Sequence, residues 1–478
     1  MTITFLMLSF VAFGALAWMA EVFRKETAKW IALVSTSGLT LEFLRLWITS
    51  NEDLSQLVVI AEYTWISVFN INYLLAVDQL SLTLLLLTFI LGVIAILISW
   101  REISENQGFY YFCLMLTNAG IVGVFTAFDM FLFFFFWEVM LIPMTALIAI
   151  WGHENRLFAA LKFFIFTQAS SLLMLIAIIV FAYWHFHAKG AISFSYFDWL
   201  SVGAPNGIGF YLMLGFFVAF AVKLPLVPFH SWLPDAHTQA PTAGSVLLAG
   251  ILLKTGAYGI IRFVLFLFPE ASREFANIAM MLGAISVIYG AVMAFSQSDF
   301  KRLVAYSSIS HMGFVILALF TFSNNGYNGA ILTMVAHGLS SAALFSFAGI
   351  IYARLHSRQL SDFGGLWHSA PVMGGFALAF VAAGFGMPGL ANFVGEFYSL
   401  VAVFRYQPLW AILAAFGLIG SAIYGMKLFQ TSFHGPSVSP IADLDKRELL
   451  LASSLFAFLL LLGLFPTLLI DVVGRGGA

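Results

Sequence analysis

In the stretch "FVAFAVKLPLVPFHSWLPDAH", residues 217–237, six apolar residues lead to Lys223, and Pro225 and Pro228 follow close behind. Proline donates no backbone hydrogen bond, so the pair is expected to free the carbonyls of Ala221 and Leu224 and to break a helix beside the lysine. A freed carbonyl end carries partial negative charge and suits a cation. A second stretch, "GFGMPGLANFVGEF", sets Pro388 among glycines, then Asn392 as the expected N-cap of a further half-helix with Glu396 in its opening turns. That end is partially positive and suits an anion. Four more titratable groups stand alone in apolar surroundings: Glu138 in "FLFFFFWEVMLIPM", Lys254 in "AGILLKTGAYG", His311 in "SISHMGF" and His337 in "MVAHGLSSA". Ammonium, carboxylate and imidazole groups take up and release protons, and proton transfer is the chemistry they offer here.

Each has a plainer reading. Lys162 lies in the first turn of an apolar segment and Lys427 near the end of another, so both can snorkel to an interface. Glu138 and Lys223 can form a purely structural ion pair between helices. His311 and His337 can serve only to bond a neighbouring carbonyl. Lys254 has no local counter-ion, which favours a functional role. Metal binding by His230 and His237 is weakly supported, because no cluster of histidines and carboxylates at recognised spacing accompanies them.

The surroundings of these groups follow from composition. Of 478 residues, 62% are hydrophobic and 9% charged, with 53 phenylalanines, far from the roughly 25% charged of a soluble chain. This is the composition of a polytopic membrane protein. A lysine or carboxylate at mid-bilayer costs from about 2.5 kcal/mol on insertion scales to above ~10 in simulation, so such residues face a polar interior. The lone cysteine, Cys113, leaves nothing to hold an iron–sulfur cluster. Net charge is −2, and without a basic tract or a glycine-rich phosphate loop, nucleic acid and nucleotides have no footprint.

A membrane span needs about 20 apolar residues. Fourteen segments qualify, around 2–20, 29–48, 79–100, 109–127, 129–150, 158–184, 208–230, 243–268, 274–295, 302–320, 327–352, 371–404, 408–432 and 449–470. The first is expected to be retained, since its basic cluster follows the apolar run. Residues 51–77 read as an external β-like or re-entrant segment. Odd-numbered connections carry eleven lysines and arginines (Arg24, Lys25, Lys29, Arg101, Arg156, Lys301, Arg302, Arg354, Arg358, Lys446, Arg447), against six on the other side. Both termini are therefore expected to face away from the cytoplasm. The broken seventh and twelfth spans lie five helices apart and so cross in opposite directions. The expected fold is all-α, with two inverted five-helix bundles: helices 4–8 over 109–268 and helices 9–13 over 269–432. Residues 1–108 precede them and 433–478 hold the last helix. Broken helices at corresponding places in inverted halves point to an ion site.

The motifs "FDMFLFFFFWEVMLIPM", "AVKLPLVPFHSWLPDAHTQAPTAGSVLLAGILLKTGAYG", "DFKRLVAYSSISHMGF", "MVAHGLSSAALF" and "GMPGLANFVGEF" resemble the antiporter-like membrane subunits of respiratory complex I, from about residue 15 to 470. The resemblance implies a row of charged residues along the membrane midplane. Glu138 matches the glutamate of the fifth helix, Lys223 the lysine of the broken seventh and Lys254 the lysine of the eighth. His311 and His337 match the polar link of the tenth and eleventh, and Glu396 the ionisable group of the broken twelfth. L-like and N-like subunits carry lysine at that last position. They are the implied neighbours, alongside the lipid bilayer, while flavin, iron–sulfur clusters and quinone are implied to sit in partner subunits, with no cofactor on this chain.

Helix axes lie about 8–10 Å apart, so protons pass between charges only through waters or histidines. Ser307, Ser310 and Thr255 are hydroxyls near the row. Movement of Glu138 relative to Lys223 is expected to switch the lysine between holding and releasing a proton. Lys254 then acts as the central relay and Glu396 as the exit. Driving charge against the membrane takes about 2.3 kcal/mol per charge per 100 mV, which a redox partner must supply. Three rival readings are a subunit of an Mrp-type cation/proton antiporter, a purely structural charged row, and quinone binding by the many aromatics.

Overall fold

The computed structural model describes residues 2–24, 26–49, 54, 56–205, 207–436 and 440–470. Helices α1 (Thr2–Ala20) and α2 (Thr27–Thr49) lead to a hairpin of β1 (Val58–Ile66) and β2 (Ile71–Val77), antiparallel with Tyr63 opposite Tyr73. The segment left between β-like and re-entrant is thus a hairpin. Its turn passes through Asn70 at φ 53, a left-handed conformation that asparagine tolerates, and the Asn70 amide donates to Ile192 O at 2.8 Å. Four long helices follow: α3 (Gln79–Ile98), α4 (Gln107–Thr126), α5 (Met130–Trp151) and α6 (Arg156–Lys189), then the short α7 (Tyr196–Val202). Asp78 caps α3 and Asp129 caps α5, each accepting backbone N–H bonds at the helix start.

The expected breaks are present. α8 (Gly209–Lys223) ends at the lysine, and the chain resumes as α9 (Trp232–Gln239). The second half lies beyond the expected boundary at 230. "SWLPDAH" is too polar to read as lipid-crossing, yet protein buries Trp232, Leu233, Ala236 and His237. A continuous helix, Thr242–Leu265, contains α10 (Thr242–Leu247) and α11 (Leu253–Gly259), with π-helical turns at Leu248–Leu252 and Ile260–Leu265. Next come α12 (Pro269–Ser296), α13 (Phe300–Leu319), α14 (Asn324–Leu355) and the short α15 (Leu366–Ser369). The second break separates α16 (Pro371–Gly384) from α17 (Ala391–Tyr406), and α18 (Pro408–Phe433) and α19 (Lys446–Leu464) complete the described chain. Among the described residues, twelve helices are long and apolar enough to cross a membrane, and α8 and α16 are shorter apolar helices.

Two local expectations fail. The Ala221 carbonyl is not free: Leu226 N closes onto it at 2.8 Å, across Pro225. Asn392 is not the N-cap, since α17 starts at Ala391 after Leu390; its amide donates instead to Ser340 Oγ at 3.1 Å. Pro388 and the left-handed Gly386 and Gly389 end the preceding helix without needing a side-chain cap.

Burial locates the centre of the molecule. The best apolar windows of Thr242–Leu265, α13 and α14 are 100%, 94% and 94% buried, against 39% for α6 and 33% for α18. Helices apolar all round are interior ones, and Lys254, His311 and His337 ride on these three. Gly250 and Gly338 let two of them touch at backbone distance, since a Cβ on Gly338 would meet Gly250 O at 2.9 Å.

Candidate functional site: a buried row of titratable groups

Four of the six residues expected in the row form one connected chain. Lys254, fully buried between the two π turns, donates to Ala249 O, and its Nζ lies 2.8 Å from His337 Nδ1 on α14. Single π turns recur at functional sites because they shift a carbonyl off the helical ladder. The His337 ring centroid is 5.3 Å from that of His311 on α13. His311 Nδ1 donates to Glu396 Oε1 on α17 at 2.6 Å, and the Tyr424 hydroxyl of α18 lies 3.3 Å from His311 Nε2. Beside the two histidines is a cavity of about 20 Å³, lined also by Ser307, Ser340, Ser341 and Tyr424. That is room for a single water among polar groups. Glu396 Oε2 has no protein partner and points at Gly386, where a Cβ would come within 2.9 Å of it.

Glu138 and Lys223 stand apart from that chain and from each other. Glu138 Oε1 accepts from Ser171 Oγ of α6 at 2.6 Å. Lys223 Nζ is buried with no hydrogen-bond partner, over the rings of Trp137 at 5.3 Å and Phe163 at 5.5 Å. The direct ion pair that the plain reading allowed is therefore absent in this arrangement. Aromatic faces hold the ammonium instead.

Neighbouring polar groups sort as follows. Lys162 does not snorkel; it pairs with Asp235 on α9 at 2.7 Å, and Arg302 of α13 reaches the other carboxylate oxygen at 3.1 Å. Lys427 donates to Phe295 O at 2.5 Å, capping the end of α12. All three hydroxyls expected near the row donate to backbone carbonyls, Ser310 to Val287 O, Thr255 to Leu252 O and Ser307 to Val304 O, and of the three Ser307 lines the cavity. His230 and His237 do not cluster with carboxylates, and among the described residues no group of three or more His, Cys, Asp or Glu could hold a metal ion. His237 is fully buried, stacked on Phe345 at 4.4 Å, with both ring nitrogens unpartnered. Tyr424 gave no signal beyond lying three residues before Lys427.

Outside the spans, the α5–α6 connection is held by His153. Its amide donates to Gln239 O at 2.9 Å, the open end of α9. Burial, with Lys301 and Arg358 nearby, pushes its imidazole down to about 3. On the opposite end of Thr242–Leu265, Arg262 and Asp78 form a buried ion pair that ties that helix to the base of the hairpin.

A helical membrane protein with two interrupted helices and a buried acid, base and imidazole row has the architecture of an antiporter-type ion translocator. The family model described as NADH:quinone oxidoreductase/Mrp antiporter, TM, matches residues 127–423, and the chain belongs to that family. It is 48% identical over 475 residues to NADH-quinone oxidoreductase subunit M of Escherichia coli K12, covering 96% of this chain and 93% of that one. Among solved structures it is similar to a chain of respiratory complex I from Thermus thermophilus, with TM-score 0.91, 29% identity and coverage of 99% and 98%. A chain of the Mrp complex from Dietzia sp. shares the fold at TM-score 0.87 and 19% identity, covering 100% and 96%.

Proposed function

We propose that the chain is the proton-translocating, subunit M-type membrane component of a bacterial NADH-quinone oxidoreductase. Fourteen crossings, counting each broken helix once, make two inverted five-helix bundles over 109–268 and 269–432, between a 1–108 segment and a 433–478 segment. Both termini face the periplasm. Glu138 and Lys223 load the row, Lys254 relays, His337 and His311 carry the proton across the bundle boundary, and Glu396 releases it. Electrons stay in partner subunits that hold the flavin, iron–sulfur clusters and quinone. L-like and N-like membrane subunits are the lateral neighbours.

The observation that carries this reading is the contact sequence Lys254, His337, His311, Glu396, which links a base on one bundle to an acid on the other. Buried titratable groups joined across helices are costly to keep and suit a proton path. The reading is tested by reconstituting the assembled complex with Lys254→Ala and measuring proton uptake per NADH oxidised. Wild-type stoichiometry in the variant would defeat it.

The second reading is a subunit of an Mrp-type antiporter, favoured by the shared family and fold. Relatives 48% identical over nearly the whole chain favour the oxidoreductase. Copurification with flavin and iron–sulfur subunits in mild detergent decides between the two.

A further inference from the structure

The two helix breaks share a register. In each, an amide closes back onto the carbonyl five residues earlier, Leu226 N onto Ala221 O at 2.8 Å and Met387 N onto Ala382 O at 3.0 Å. Lys223 and Gly384 are the last residues of the two first half-helices. Twelve residues beyond each end stands a carboxylate on the second half-helix: Asp235 on α9 and Glu396 on α17. The partner of Glu396, by position, is thus Asp235 and not Lys223.

The two carboxylates are also held alike. Glu396 accepts from His311, and Asp235 accepts from Lys162 on one oxygen and Arg302 on the other. They differ in access. The Asp235 side chain is 19% exposed and Lys162 and Arg302 are 24% and 38%, whereas Glu396 is 2% exposed. α9 runs toward the loops carrying His153 and Arg358, which bond the carbonyls of Gln239 and Thr238 at its end. Inward of Asp235, the Phe163 ring packs on Trp232 of α9 at 5.1 Å and lies beneath the Lys223 ammonium.

We propose that Asp235 is the proton-loading carboxylate of the first half of the molecule, the counterpart of Glu396 in the second. The inference rests on reading the buried row as a proton path. A proton from water on the side of the His153 and Arg358 loops binds an Asp235 oxygen as the Lys162 ammonium turns away. It then leaves through water past Phe163 to Lys223, and the carboxylate regains its ion pairs. Only a proton moves, and the charge on Asp235 is restored at the end. Partly exposed ion pairs hold structure weakly, so a purely structural role is the alternative to be tested.

The experiment compares Asp235→Asn, Lys162→Met and the double variant in assembled complex in proteoliposomes, each normalised to complex content. A positioned proton carrier contributes on the order of 100-fold to transfer rate, so Asp235→Asn should lose pumping to background, while Lys162→Met, which leaves the carboxylate in place and paired with Arg302, should lose less. If Asp235 served only to neutralise Lys162 and Arg302, removing the Lys162 charge as well would recover part of the pumping that Asp235→Asn loses; a loading group predicts that the double variant stays at background. Normal pumping by Asp235→Asn, or recovery in the double variant, overturns the proposal. Lys254→Ala measured alongside separates the two levels: if it pumps normally the buried row itself is not the path, whatever Asp235 does.

Discussion

Lys254 Nζ sits 2.8 Å from His337 Nδ1, and the other partner of the same nitrogen is the carbonyl oxygen of Ala249. An ammonium donates to both, which makes Nδ1 an acceptor and puts the imidazole proton on Nε2. His337 Nε2 has no protein partner. Transfer of a proton to Nδ1 therefore lets the ring give up the other from Nε2, on the far side of the imidazole.

His337→Ala is expected to uncouple the two halves as thoroughly as Lys254→Ala, on the order of 100-fold in proton transfer. His337→Lys, which restores a single titratable nitrogen in place of a two-sided ring, should recover little. Proton uptake per NADH oxidised in proteoliposomes checks both, and full activity of His337→Ala would remove the imidazole from the route.

At the other end, Ser171 and not Lys223 holds Glu138. Glu138→Gln should abolish most pumping and Glu138→Asp should be milder, because charge tunes the lysine. Ser171→Ala removes one hydrogen bond and leaves Gln168 beside the carboxylate, and a loss of about 1.4 kcal/mol of positioning corresponds to roughly tenfold slower coupled turnover. Turnover indistinguishable from wild type in Ser171→Ala would show that the hydrogen bond does not set the position of Glu138.

For Glu396, the lysine found in L-like and N-like subunits argues that Glu396→Lys retains part of the function. Geometry favours Gln over Lys at this position. Lysine would force His311 into the other tautomer, with Nδ1 accepting as His337 does from Lys254, while Gln keeps an oxygen for the N–H already there. Glu396→Lys is expected to be the weaker of the two in pumping. Gly386→Ala should also impair release, since its φ of +72 disfavours a side chain by roughly 1–2 kcal/mol and its Cβ would press on Oε2. A Gly386→Ala complex with unchanged melting temperature and pumping would refute this.

Composition and apolar length made the spans legible, and the prolines with their neighbouring glycines marked both breaks. α9 escaped because its polar residues are buried by protein and not by lipid, which no hydropathy window distinguishes. The chain from Lys254 to Glu396 was legible as residue types, but its order depends on which helices cross. The close contact of Gly250 with Gly338 has no sequence signature. Asp235 carries no local signal, because its partners, Lys162 and Arg302, lie 73 and 67 residues away.

His153 gives a prediction in pH. Its folded value of about 3 lies below the unfolded value of about 6.5, so below the latter the unfolded chain binds a proton that the folded loop refuses. The contribution is complete above pH ~6.5 and is lost as pH falls toward ~3. His153→Phe keeps a ring against Tyr352. Its thermal midpoint in the purified complex should decline less than that of wild type as pH is lowered from about 7 to about 5; parallel declines would sink the assignment.

The closure of the two breaks bears on which ion can use them. At the first, the oxygens of Phe220, Ala221 and Val222 accept from Leu224 N, Leu226 N and the Trp232 indole. At the second, those of Val381, Ala382 and Ala383 accept from Phe385 N, Met387 N and Gly386 N. A dehydrated sodium ion passing an unwound helix replaces its water shell with several such oxygens at once. Here six of those oxygens each already accept one N–H donor. A proton asks for no such shell, needing one acceptor at a time, so it can use helix ends whose last carbonyls are turned back onto their own chain.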